Sequence, residues 1–175
     1  MHERYRLDHR GGGFIGSHVA DELLSHGYSV RVIDCLADQV HGKSAGPPDY
    51  LSPDVEFIYG NILDEALLER SLKGVDAVLH LAAAVGVGQS MYEPDYYTGT
   101  NNLGTAVLLK LLLQNPVKRL VVASSMSIYG EGLYRSTDGI DLIIDGCERT
   151  AEQLKAGIWE HYDGDGNRLA PIPTS

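Results

Sequence analysis

The chain has 175 residues, 43% hydrophobic and 22% charged, which suits a single globular domain with a sizeable core and argues against general disorder. A formal charge of -10, from 14 basic and 24 acidic side chains with no basic run, excludes a phosphate-backbone partner, so no nucleic acid is expected. Cys35 and Cys147 form no disulfide or metal framework, and neither a secretory segment nor a membrane span is visible, so a soluble cytoplasmic protein is expected.

Apolar runs rich in β-branched residues alternate with amphipathic stretches, the pattern of a parallel sheet covered by helices. The glycine cluster RGGGFIGSH leads into SHVADELLSHG, which sets Val19, Leu23 and Leu24 on one helix face and stops at Gly27. YSVRVID reads as a strand. A turn-rich connection follows, then strand VEFIYG, helix DEALLERSLKG and strand VDAVLHLAA, a second crossover unit. From Pro94 a long helical stretch runs to Asn115-Pro116, ahead of the strand RLVVASS. Five strands result if the residues before the glycine cluster form the first. Beyond Gly132 the chain is turn-rich, with one short helix whose start is marked by Thr150 and Gln153 as a capping box.

Gly11, Gly13 and Gly16 satisfy G-x-G-x-x-G, whose glycines permit a tight turn, close approach of backbone to a pyrophosphate, and close packing of helix on strand. The main-chain amides of Phe14 and Ile15 would face the phosphates, because a helix N-terminus offers unpaired N–H groups and partial positive charge. Asp34 follows Gly16 by 18 positions and ends the second strand, where a carboxylate accepts hydrogen bonds from the adenosine ribose. A carboxylate there repels a 2′-phosphate, which favours NAD over NADP. The plain alternative for Asp34 is a strand-ending turn residue.

Four segments, GGGFIGSHVADELLSHGYSVRVID, VDAVLHLAAAVGVGQSMYEPDYY, TNNLGT and VVASSMSIYGEG, resemble the extended short-chain dehydrogenase/reductase family of NAD-dependent nucleotide-sugar epimerases and dehydratases. The resemblance covers roughly residues 11 to 132 and implies an α/β fold, a Rossmann-like doubly wound parallel sheet. The expected division is 1–132 for the NAD-binding domain and 133–175 for a turn-rich insertion, with the chain truncated before a C-terminal substrate domain. The family pattern sets Asn61 and Ile62 beside the adenine, where an aspartate is usual at the first position. Leu81, Ala82, Ala83 and Asn101 fall on the nicotinamide side, and Ser124 joins the cofactor set. Ser125 takes the place of the family's catalytic Ser/Thr, which hydrogen-bonds the sugar oxygen being oxidised. Read from the residues alone, Ser124, Ser125 and Ser127 are a polar strand end, and His18 and His80 are hydrogen-bonded packing residues.

In this family the tyrosine of a Y-x-x-x-K motif removes a proton from a sugar hydroxyl while hydride passes to the nicotinamide, and the lysine lowers the tyrosine pKa. No lysine in this chain follows a tyrosine by four residues. Truncation of an epimerase is the first explanation, and a non-catalytic NAD-binding or sensor module the second. Dehydratases carry Asp-Glu directly after the catalytic residue; Met126 and Ser127 stand there, which disfavours dehydration. A nucleotide sugar would be the parent's substrate, and family members commonly form homodimers through helices.

Residues from YGEGLYR to PIPTS resemble an insertion of one epimerase subgroup, the dTDP-L-rhamnose 4-epimerase-like proteins, in which two Cys-x-x-Cys pairs suit a zinc ribbon. Ser136, Gly139, Tyr162 and Asp165 occupy the matching places, so no metal is expected. DGDGN at 163–167 reads as a plain turn, because Arg168 and Thr174 replace the residues a calcium loop needs.

The segment before the glycines is anomalous. Arg10 stands where the family's first glycine belongs, and Asp8 and His9 replace apolar or small residues. Unpaired charge at a sheet's centre costs several kcal/mol, so this strand is expected to pair poorly and NAD binding to be weak or absent. A misplaced start or shifted reading frame accounts for the mismatch; a charge contact from Arg10 to the pyrophosphate is the alternative.

Overall fold

The computed structural model describes residues 5–9, 11–43, 46–130, 132–136, 143–145 and 149–173, with 5–9 and 143–145 described by their backbone alone. The chain divides into two compact units, Met1–Ala123 and Ser124–Ser175. The division drawn from the sequence at residue 132 thus falls within the second unit. Among the described residues no helix is long and apolar enough to cross a membrane.

In the first unit, β1 (Tyr5–His9), β2 (Ser29–Asp34), β3 (Glu56–Tyr59), β4 (Val75–His80) and β5 (Arg119–Val122) form one parallel sheet in the order β3-β2-β1-β4-β5. This order reverses between β1 and β4, the switch point of a doubly wound fold. The expectation for β1 is corrected here. All five of its residues pair with β2, from Tyr5 opposite Ser29 to His9 opposite Ile33, and with β4 on the other side, with one register shift after Tyr5. The ladder is built from main-chain N–H and C=O groups, and a central strand is held from both sides whatever side chains it carries. Arg10 lies outside the described residues, as do the side chains of Asp8 and His9.

Period-2 alternation in β2 explains the two-sided core. Val30 and Val32 pack with Ala20, Leu51 and Val55 on one face, while Ile33 packs with Ile62, Leu68, Leu72, Val78, Leu108 and Leu111 on the other. Helix α1 (Phe14–Ser25) ends before Gly27, whose φ of 75° closes it. Two short helices that the alternation pattern does not mark, α2 (Asp38–His41) and α4 (Val87–Ser90), lie in the connections after β2 and β4. The carboxylate of Asp64 caps α3 (Glu65–Ser71) by accepting from the Leu67 amide at 3.0 Å. The stretch from Pro94 is helical throughout. It comprises α5 (Pro94–Tyr97), a π-helical turn (Thr98–Leu103) and α6 (Gly104–Gln114), which stops at Asn115 before Pro116.

The second unit holds β6 (Leu133–Ser136), β7 (Ile143–Asp145) and β8 (Leu169–Ile172), an antiparallel sheet in the order β7-β6-β8 where the sequence showed only turns. Helix α7 (Ala151–Lys155) carries the expected capping box: Thr150 accepts from the Gln153 amide and Gln153 from the Thr150 amide. Asp163 organises the DGDGN turn, accepting from the amides of Asn167 and Asp165. The Asn167 amide above all holds the Asp163 carboxyl below its ordinary pKa, with only burial acting the other way. Among the described residues no group of three or more His, Cys, Asp or Glu side chains could hold a metal ion.

Candidate functional site

The site lies at the carboxyl ends of β2, β3 and β4, beside the glycine turn that follows β1. Gly11 and Gly12 form the turn, Gly13 is the N-cap of α1 without any side-chain cap, and Gly16 is buried in the first helical turn. Phe14 and Ile15 begin the helix and are 78% and 66% exposed, so the amino end of α1 is uncovered. With no capping side chain, its first N–H groups are available to an anion.

Asp34 closes the site on the β2 side and is 2% exposed. Its Oδ2 accepts from the Gly12 amide at 3.2 Å and its Oδ1 from the Leu36 amide at 2.8 Å. A Cβ on Gly12 would sit 2.9 Å from Oδ2, so only glycine lets the turn and the carboxylate meet. Leu36 pays for its bond with a φ of 48°, a left-handed conformation that costs a non-glycine residue about 1 kcal/mol. The Tyr50 hydroxyl, from the same connection, donates to the Gly12 carbonyl at 2.7 Å. The turn is therefore tied on both its N–H and C=O sides.

Asp34 also lines a cavity with Cys35, Asn61, Ile62, Ala82 and Ala83, joined by Tyr96 and Thr100 from the helical stretch after Pro94. The structure thus brings five residues singled out in the sequence, Asp34, Asn61, Ile62, Ala82 and Ala83, into one lining. Cys35, Tyr96 and Thr100 were missed. Cys35 carried a signal in its place directly after Asp34, whereas Tyr96 and Thr100 reach the cavity only through the packing of their helix. Asn61 Oδ1 accepts from the Leu63 amide at 2.9 Å, which leaves its Nδ2, a donor, where an aspartate would offer only acceptors.

Leu81 continues β4 toward the loop that Asn101 pins. Asn101 Oδ1 accepts from the Ala84 amide at 2.7 Å, and its Nδ2 donates to the Ala84 carbonyl at 3.1 Å. Asn101 sits in the π-helical turn, where the Thr105 hydroxyl donates to its carbonyl at 2.6 Å. Since that hydroxyl is donating, its oxygen accepts from His80 Nε2 at 2.8 Å, and the proton on His80 is assigned to Nε2. Burial lowers the His80 pKa below 6.5 and keeps the imidazole neutral. His80 is the hydrogen-bonded packing residue expected of it.

Ser124 and Ser125 begin the second unit and are exposed. Ser125 Oγ accepts from the Ser127 amide at 3.1 Å, capping a 3-10 turn over Met126–Tyr129, and its hydroxyl proton remains to be donated.

Residues 11–141 match the NAD dependent epimerase/dehydratase family. The chain belongs to that family. A UDP-glucose 4-epimerase of Bos taurus is 38% identical over 136 residues, covering 73% of this chain and 39% of its own length. A dTDP-L-rhamnose 4-epimerase of Burkholderia thailandensis is 28% identical over 174 residues, covering 94% of this chain and 47% of its own. The crystal structure of UDP-glucose 4-epimerase from Brucella ovis in complex with NAD superposes with a TM-score of 0.64 at 30% identity, covering 81% of this chain and 42% of that one. The chain therefore spans about two fifths of the length of the epimerases it matches first. NAD is the cofactor of this epimerase/dehydratase family, and the uncapped amino end of α1, the Gly12 contact and the Asp34 carboxylate fit it.

Proposed function

We propose that this chain is the cofactor-binding part of an NAD-dependent nucleotide-sugar epimerase. One observation carries the reading: the Gly12 amide is bonded to the Asp34 carboxylate at the end of β2, two residues before the uncapped helix α1 begins. An anion and a ribose diol of one ligand need that pair of features side by side.

On this reading the Phe14 and Ile15 amides hold the pyrophosphate, with Gly11, Gly13 and Gly16 allowing its approach. Asp34 holds the adenosine ribose, and Asn61 and Ile62 hold the adenine. Leu81, Ala82, Ala83, Asn101 and Ser124 serve the nicotinamide side. NAD, when bound, supplies the hydride acceptor for transient oxidation of a sugar hydroxyl. Ser125 donates its remaining proton to the sugar oxygen. Met126 and Ser127, in place of an acidic pair, favour epimerisation over dehydration. A nucleotide sugar as substrate, and a homodimer joined through helices, complete the proposal; Leu109 and Leu113, one turn apart on α6, are 45% and 86% exposed.

With no Tyr-x-x-x-Lys pair, these 175 residues bind NAD without turning over a sugar. Titration calorimetry with NAD tests the cofactor, absorbance at the reduced nicotinamide band after adding UDP-glucose tests the transient hydride transfer, and appearance of the epimerised sugar tests turnover. We expect binding without reduction, and Asp34→Ala to weaken binding about tenfold or more through loss of charge-assisted hydrogen bonds. No heat at millimolar NAD would overturn the reading.

A further inference from the structure

Behind Asp34 stands a second titratable side chain that the family reading leaves without a part. His41 ends α2, and its side chain is 3% exposed while that of Asp34 is 1% exposed. Its Nε2 lies 3.7 Å from Asp34 Oδ1, just beyond hydrogen-bond length, and has no hydrogen-bond partner among the described residues. A buried ring nitrogen left unbonded is costly, and nearly all such groups are paired in native proteins. Asp34 lines the cavity and His41 does not, so the imidazole backs the carboxylate on the side away from the ligand space.

The backbone between the two is bent to bring them together. Leu36 is buried at a φ of 48° and donates to Asp34 Oδ1, and the chain returns through α2 to set His41 against the same oxygen. Strain kept next to a ligand-binding carboxylate marks a functional constraint. A carboxylate offers about four lone pairs. The Leu36 amide takes one site on Oδ1 and the Gly12 amide one on Oδ2, which leaves one lone pair on Oδ1, the oxygen nearest His41 Nε2, and one on Oδ2 for a ribose hydroxyl.

We propose that His41 is a positioning residue of the cofactor site: its Nε2–H donates to Asp34 Oδ1 and fixes the carboxylate for the adenosine ribose. The inference rests on the NAD reading of Asp34 and assigns the supporting donor that orients it, as outer-sphere partners orient ligating groups elsewhere.

The test is calorimetry on the 175-residue chain with NAD and with the analogue whose adenosine ribose lacks both hydroxyls. His41→Gln keeps an N–H near the Nε2 position, His41→Asn falls short of it, and His41→Phe keeps the volume without a donor. We expect Gln within about twofold of wild type, and Asn and Phe weaker by about tenfold toward NAD, the loss of one charge-assisted hydrogen bond. All variants should bind the dihydroxyl-less analogue equally, because a general packing defect would weaken both ligands alike. If His41→Phe fails to fold, the Gln and Asn pair decides. Equal NAD affinity of Gln and Asn, or equal losses toward both ligands, overturns the inference. Wild-type chain that binds no NAD overturns the cofactor reading and this inference together, whereas tight wild-type binding with unaffected variants sinks this inference alone.

Discussion

His80 gives the first unit a pH dependence whose sign follows from burial. The folded pKa lies below the ordinary 6.5, so the unfolded chain takes up a proton that the native chain refuses. The contribution of neutral His80 is complete above pH 6.5 and is lost as the pH falls toward the lowered native pKa. Urea midpoints measured from pH 7.5 to 5 should therefore fall more steeply for wild type than for His80→Gln, which keeps a donor for Thr105 without the titration. Parallel curves would mean that the imidazole is not held neutral. The same side chain supports the π-helical turn through Thr105, and that turn positions Asn101 on the Ala84 backbone. A change at His80 should accordingly loosen the β4 loop as well as the core.

Between elements, α6 comes close to the residues after β3. A Cβ on Gly104 would sit 2.6 Å from Ile62 Cγ2, and Ile62 is 7% exposed and part of the core cluster. Gly104→Ala gains about 1 kcal/mol of helix propensity and incurs about 1–3 kcal/mol of overpacking. The clash wins because Ile62 cannot swing into solvent. We expect a melting temperature lower by a few degrees and, since Ile62 lines the cavity, weaker NAD binding; a stabilised variant would show that α6 can shift outward. The stop at Gly27 and the capping box at Thr150 behave differently. They depend on residues within one turn of each other, and so were readable from spacing.

At the scale of the molecule, the proposed homodimer makes a direct prediction. Sedimentation at rising concentration should carry the 19.0 kDa chain to twice its mass, and Leu113→Glu should hold it as a monomer. Val121→Lys, on the exposed edge strand β5, serves as the comparison and should leave the dimer intact. Loss of association in Val121→Lys alone would move the contact from the helix to the sheet edge, a known site of unwanted pairing. Local chemistry made much of this protein legible in its sequence: the period of the apolar residues marked β2 to β5 and the longer helices of the first unit, and Gly11, Gly13, Gly16 and Asp34 stand at the spacing a dinucleotide turn requires. Other features depended on groups far apart in the chain. The charged β1 is a central strand because two neighbours supply its ladder; β6, β7 and β8 pair across turn-rich sequence with no alternation to announce them. Tyr50 meets Gly12, and His41 meets Asp34, only because the connection after β2 folds back on the site. Periodicity and capping act within a few residues and are written in the order of the amino acids. Sheet order, burial and the partners of a buried polar atom are decided by what the folded chain brings alongside.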